Sequence, residues 1–266
     1  MKNLLMCDPS FYQIDYEINP WMSVLKKANS NLAIQQWNDL VSLIEKVGAK
    51  VHKMNPIPGF PDIVFTANAA IVFQDIVLLS NFKYAERKGE KKHYKEWFDA
   101  HSYRTFELPE SLIFEGAGDV LLGEEGYIFF GSGFRSEENA YQYNIWDAIF
   151  NLKFKSIPLK LVDPYFYHLD TCFCPLKGKQ ILIHSPAFEK ESLDMLKSRF
   201  DLIEVPKNDA ANFACNAVLI ENNIIIPSNC EETKNLLQGN GYEVHETNMS
   251  EFILAGGACR CLTLVI

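Results

Sequence analysis

The stretch NAAIVFQDIVLLSNF, residues 68–82, runs from an Asx residue through an apolar strand and a short polar turn into a second apolar strand that closes on a small residue. Two short apolar runs split by Gln74-Asp75 read as a β-hairpin with buried strands. The same order recurs in DVLLGEEGYIFFGSGF (119–134), DTCFCPLKGKQILIHSPAF (170–188) and NAVLIENNIIIPSNC (216–230). The first residues of these units, Asn68, Asp119, Asp170 and Asn216, lie 51, 51 and 46 positions apart, and a further step of 45 reaches Cys261. Cys261 therefore opens a fifth unit whose first strand is LTLVI (262–266). No second strand follows it, whereas NLLMC (3–7) has the character of the second strands elsewhere, so the N-terminal segment is expected to close the fifth unit.

Helical periodicity fills the spaces between hairpins. Residues 31–44 carry apolar side chains three and four apart and stop near Gly48, a suitable C-terminal glycine; comparable helices are expected at about 88–99, 137–150, 188–199 and 230–238. Short strands such as AKVHKM and FDLIEV follow. Each unit is then ββαβ, and a repeat of this length built from supersecondary units predicts a closed α/β array of five blades around an axis. Closure would aim residues 68, 119, 170, 216 and 261 at the centre. Two unrelated hairpin-rich lobes are the competing architecture; the closed array makes residues 1–266 a single catalytic domain.

The chain carries a formal net charge of −9 and no cluster of Lys and Arg, which argues against nucleic acid and anionic membranes as partners and leaves a small molecule. Neither a signal-peptide apolar region nor a membrane-length apolar run is present, so a cytoplasmic protein is expected. Seven cysteines are odd in number, and Cys172/Cys174 and Cys259/Cys261 are CxC pairs, a poor match to structural zinc spacing. Free thiols, mostly buried, are the reading, with no metal and no cofactor.

If the five phase-matched positions converge, the centre holds a thiol (Cys261), an imidazole (His168) and several carboxylates (Glu115, Asp119, Asp170) around one cavity. That set supplies a nucleophile, a proton shuttle and a cradle for a cation. Two carboxylates suit a planar guanidinium, which forms paired charge-assisted hydrogen bonds. Gly256 and Gly257 would let the backbone pass close to a ligand.

These residues resemble those of the guanidino-group-modifying enzymes, the superfamily of arginine deiminase, dimethylarginine dimethylaminohydrolase, arginine dihydrolase and the glycine amidinotransferases. The likeness runs through DIVFTAN (62–68), EGAGD (115–119), GFRS (133–136), HLD (168–170) and GGACRCLT (256–263). It implies a five-bladed α/β propeller, the pentein fold, in agreement with the repeat count. It also implies Cys261 as nucleophile, His168 as general acid and base, and Glu115 as the group that orients His168. Asp119 and Asp170 would hold the guanidinium, Asp62 the substrate α-amino group, and Arg87 and Arg135 the α-carboxylate. Cys261 as thiolate would attack the guanidinium carbon, His168 would protonate the departing amine, and the amidino-thioether would then be hydrolysed.

Two features depart from the superfamily's usual pattern. EGAGD has one residue more than the usual EGGD, and Asn68 stands where deiminases and dimethylarginine hydrolases carry Asp. Asn at that position resembles the arginine dihydrolases, which release ornithine, carbon dioxide and ammonia after a second hydrolysis. The implied activity is arginine dihydrolase, with dimethylarginine hydrolysis or arginine deimination as the alternatives. An amidinotransferase and a non-enzymatic propeller that binds ribosomes complete the set.

Overall fold

The computed structural model describes residues 1–142, 145–150 and 155–266. Its strands form five sheets of three strands each. In the first unit, Ala70–Phe73 pairs antiparallel with Ile76–Leu79, which pairs in parallel with Arg104–Glu107. The second has the same order in Val120–Leu122, Tyr127–Ser132 and Lys155–Lys160, the third in Phe173–Pro175, Gln180–Ile183 and Asp201–Glu204. The fourth consists of Val218–Ile220, Asn223–Pro227 and Glu243–Thr247. In the fifth, Leu264–Val265 pairs antiparallel with Asn3–Cys7, with Leu4 opposite Val265 and Leu5 opposite Leu264, and Asn3–Cys7 runs parallel to Lys50–Met54. The N-terminal segment thus supplies the second strand of the last unit, as its composition suggested.

The second strand is the middle strand of every sheet. Ile76–Leu79 is buried throughout, and in Asn3–Cys7 all but the first residue is buried, the near-continuous apolar run expected of a strand covered on both faces. A parallel third strand needs a crossover, and a helix supplies it in each unit. Those helices are Glu90–Ala100, the Glu138–Gln142 and Ile145–Phe150 pieces, Lys190–Lys197, Glu231–Gly239 and Ser30–Lys46. The expected helix 137–150 coincides with the second of these, except that residues 143 and 144 lie outside the described residues. Ser30–Lys46 is capped by Asn29, whose side chain accepts from the Leu32 amide, and turns out at Gly48 with φ +93°. Its apolar stripe, Ala33, Trp37, Leu40, Val41 and Ile44, is buried.

Each phase-matched residue sits in a short turn just before its first strand, and each is buried. These turns are linked in series. Gly116 in the second unit lies so close to the first that an added Cβ would stand 2.7 Å from the Ala70 nitrogen. The Leu169 amide donates to Asp119 (3.0 Å), Asn216 Nδ2 to the Asp170 carbonyl (2.9 Å), the Arg260 amide to the Asn216 carbonyl (3.1 Å) and the Ala67 amide to the Cys261 carbonyl (3.1 Å). First-strand residues of all five units, among them Ile71, Leu121, Phe173, Leu219 and Leu264, bound one cavity of about 370 Å³.

Candidate active site

Cys261 is buried in the turn that precedes Leu264–Val265. Its Sγ donates to Asp170 Oδ2 at 3.3 Å and accepts from Asn216 Nδ2 at 3.1 Å. The other end of the Asn216 amide accepts from the Ala258, Arg260 and Cys261 N–H groups at 2.9–3.1 Å, which fixes this turn around the thiol. Burial, reinforced by the charge of Asp170, pushes the Cys261 thiol well above its ordinary value, so the free site holds a neutral thiol. Burial likewise raises Asp170 to about 6.

His168 precedes the Leu169–Thr171 turn and points Nε2 at Glu115 Oε2, 2.8 Å away. Burial alone would raise Glu115, but Arg135 beside it and the hydrogen bond to His168 outweigh that effect and hold it well below the usual carboxylate range. Glu115 also accepts from Arg135 Nη1 (3.1 Å) and from the Lys83 amide (3.0 Å). The extra residue in EGAGD is absorbed by Gly116, which adopts φ +57° and starts the Gly116–Asp119 helical turn. Glu115 and Asp119 therefore both face the centre. Gly118 is equally constrained: a Cβ there would run into Asn68 Nδ2.

The two aspartates expected to grip a cation differ. Asp119 is saturated by the Ser136 amide (3.1 Å), the Ser136 hydroxyl (2.6 Å) and the Leu169 amide (3.0 Å). Asp170 keeps Oδ1 buried with no partner. Asp62 Oδ1 and Asn68 Nδ2 also lack a hydrogen bond of normal geometry, as does the Tyr16 hydroxyl that lies against Asp62, so four of the six such side-chain atoms among the described residues belong to this site. Unsatisfied polar atoms in a buried site mark where a ligand would complete the hydrogen bonding. Burial raises Asp62, with Arg87 opposing.

Arg87 is buried rather than on a solvated helix face. It forms a bidentate pair with Glu90 (2.9 and 2.8 Å), donates to Asn68 Oδ1 (2.8 Å) and to the Asp62 carbonyl (3.1 Å). Arg135 is sandwiched by Tyr84 and Tyr167, its guanidinium carbon 4.7 and 4.6 Å from their ring centroids, and donates to the Ile18 carbonyl (3.0 Å). A cleft lined by Asp62, Asn68, Arg87, Arg135, Tyr167 and Cys261 unites these groups, with Ile18, Asn19 and Met22 of the N-terminal segment along its edge.

Of the nine residues singled out in the sequence, Asp62, Asn68, Arg87, Arg135 and Cys261 line this cleft, Glu115 and Asp170 are hydrogen-bonded to lining residues, and His168 and Asp119 stand behind them, His168 on Glu115 and Asp119 4.0 Å from His168. Glu90, Ser136 and the N-terminal segment around Ile18–Met22 were not singled out; Asn216 was found by repeat phase alone. Ser136 stood in the GFRS motif, but Glu90 and Ile18–Met22 carry no pattern of their own. Gly256 has φ +81° and packs against Trp21 and Tyr167, and Gly257 against Phe65, so these glycines make room for aromatic rings of the chain. The seven cysteines are unpaired and buried, and among the described residues no His, Cys, Asp and Glu gather in a metal-binding group. Among those residues no helix is long and apolar enough to cross a membrane.

Residues 13–266 match the family model described as N,N dimethylarginine dimethylhydrolase, eukaryotic. Over 98% of its length the chain is 43% identical to the bifunctional arginine dihydrolase/ornithine cyclodeaminase AgrE of Nostoc sp., of which it spans only 37%. It is 34% identical, over its whole length and 86% of the relative, to the N(G),N(G)-dimethylarginine dimethylaminohydrolase of Mycobacterium tuberculosis. Among solved structures, a single-substitution variant of the N-terminal domain of ArgZ, covalently bound to a reaction intermediate, superposes with a TM-score of 0.94 at 40% identity, covering 100% of this chain and 97% of that one. Five ββαβ units, a buried Cys–Asp and His–Glu pairing at their junction and these likenesses agree: the chain belongs to the dimethylarginine dimethylhydrolase family of guanidino-group-modifying enzymes.

Proposed function

We propose that this chain is a hydrolase of the guanidino group of L-arginine, working through an amidino-cysteine intermediate and releasing ornithine. The observation that carries the reading is the cluster of unsatisfied atoms, Asp170 Oδ1, Asn68 Nδ2 and Asp62 Oδ1, beside a thiol hydrogen-bonded to Asp170. A guanidinium would supply donors to Asp170 and a positive charge that stabilises the Cys261 thiolate, the thiol proton passing to His168. Cys261 then attacks the guanidinium carbon. His168, oriented by Glu115, delivers a proton to the departing nitrogen and next takes one from the attacking water. Arg135, and Arg87 locked by Glu90, would receive the substrate carboxylate, and Asp62 its amino group.

The choice of arginine rests on Asn68. Arg87 holds Oδ1, which leaves the amide NH2 facing the site. A donor there suits the neutral ureido oxygen of a first-step product and so permits a second hydrolysis. The arginine dihydrolase activity in the AgrE name, and the intermediate captured on a variant of ArgZ, support the same reading. Dimethylarginine hydrolysis is the second reading, favoured by the family description and the mycobacterial relative. Product analysis separates the two: ornithine from L-arginine is expected, while citrulline as sole product would indicate deimination and dimethylamine from dimethylarginine the second reading.

We also infer that the five units close into a pentein propeller and form one catalytic domain over residues 1–266. The serial links from Ala67 through Gly116, Leu169, Asn216 and back to Cys261 support closure, as does the cavity bounded by all five first strands. A small guanidino compound is the partner in this reading, and a cytoplasmic setting suits the unpaired thiols.

A further inference from the structure

The cavity between the five first strands shares no lining residue with the cleft that holds Cys261. Its wall is largely apolar, with Leu121, Leu219 and Leu264 prominent, yet three cations line it: exposed Lys177, which donates to Asn222 Oδ1 (3.1 Å), and the partly buried Lys2 and Arg260. Lys2 Nζ donates only to the Leu219 carbonyl (2.7 Å), and the Arg260 guanidinium has no hydrogen bond or ion pair among the described residues. The two acids on the wall, Glu124 and Glu221, are exposed, and Glu124 is engaged by the Gly178 amide. The like charges of Lys2 and Arg260 repel each other, and burial together with Arg260 lowers Lys2 to about 8. An anion that shares the space relieves this repulsion. The apolar wall selects an anion with a hydrocarbon body, because a hydrated inorganic ion would leave that wall without contacts.

We propose that this axial cavity binds a short-chain organic dicarboxylate, one carboxylate on Lys2 and one on Arg260, and that its binding weakens substrate binding at Cys261. Coupling follows from position. Arg260 is the chain neighbour of Cys261; against burial, Asp170 is kept ionised first by His168, then by the Cys261 hydrogen bond and then by the positive charge of Arg260, while Asp119 opposes them. An anion on Arg260 cancels that help, and Asp170 then holds a guanidinium less well. This second half rests on the proposed arginine hydrolysis, whereas the binding itself does not.

Calorimetric titration of the intact chain with glutarate tests the site, with the uncharged diamide of the same length as control. One equivalent of glutarate is expected to bind and the diamide not to. Lys2→Met and Arg260→Gln should each weaken binding at least tenfold, Leu122→Trp at the mouth should block it, and Arg135→Gln in the other cleft should leave it unchanged. Absence of binding, equal binding of the diamide, or dependence on Arg135 instead of Lys2 overturns the site. In turnover assays at pH 7, glutarate should raise KM for L-arginine several-fold in the native chain and not in Lys2→Met. An unchanged KM alongside confirmed binding overturns the coupling alone.

Discussion

Cys261 and Cys259 are two residues apart and equally buried, but their surroundings differ. Both belong to one apolar cluster and burial pushes both thiols up, but Cys261 also meets Asp170 and Asn216, which Cys259 does not. Cys261→Ser is expected to lower turnover by several orders of magnitude and to abolish stoichiometric labelling by a haloacetamidine, while Cys259→Ser keeps most of both; full activity in the Cys261 variant would remove it as nucleophile. Asp170 illustrates function held at the expense of stability. Its folded-state value of about 6 lies above the ordinary 3.8, so the ionised carboxylate destabilises the fold above pH 6 and the cost fades as pH falls toward 4. Asp170→Asn should therefore gain about 1–3 kcal/mol at pH 8, less at pH 4, and lose activity. Urea denaturation at both pH values measures this, and a gain independent of pH would contradict it. In the native chain kcat/KM should fall below about pH 6 as Asp170 takes up its proton. Asn68→Asp should shift the product from ornithine toward citrulline, since it removes the donor left facing the site.

At the scale of elements, the strand Asn3–Cys7 bridges the two ends of the described chain and lies beside the nucleophile's own strand. Leu5 within it is fully buried, and Leu5→Ala should cost about 2–5 kcal/mol in a denaturant titration. Two glycines make a controlled comparison. Gly178, at φ +60°, has open space around it, so Gly178→Ala bears only the backbone strain, about 1 kcal/mol. Gly116→Ala meets the backbone of Ala67 and Ala70 as well and would move Glu115 and Asp119 away from His168. Loss of turnover is expected in the second and not in the first, read as kcat with the thermal midpoint measured alongside.

At the scale of the molecule, Ile266 donates its amide to the Asn3 carbonyl, so both ends of the described chain lie at one corner of the fifth sheet. A short glycine linker from Ile266 to Met1 would make this hairpin like the other four. Opening the chain instead at the exposed Lys177–Lys179 turn should yield a folded, active permutant, checked by circular dichroism and turnover. A permutant that fails to fold would count against closure. The hairpin order, the helices between them and the phase of Asn68, Asp119, Asp170, Asn216 and Cys261 were all legible in the sequence, because apolar periodicity and spacing are local properties of the chain. Tertiary structure alone decided that Asp119 is saturated while Asp170 keeps a free oxygen. It also decided that Glu90 locks Arg87, and that Gly256 and Gly257 hold aromatic rings. Each of these depends on which donor or ring reaches a given atom across units about 50 residues apart, and hydrogen-bond saturation is set by that approach rather than by residue type.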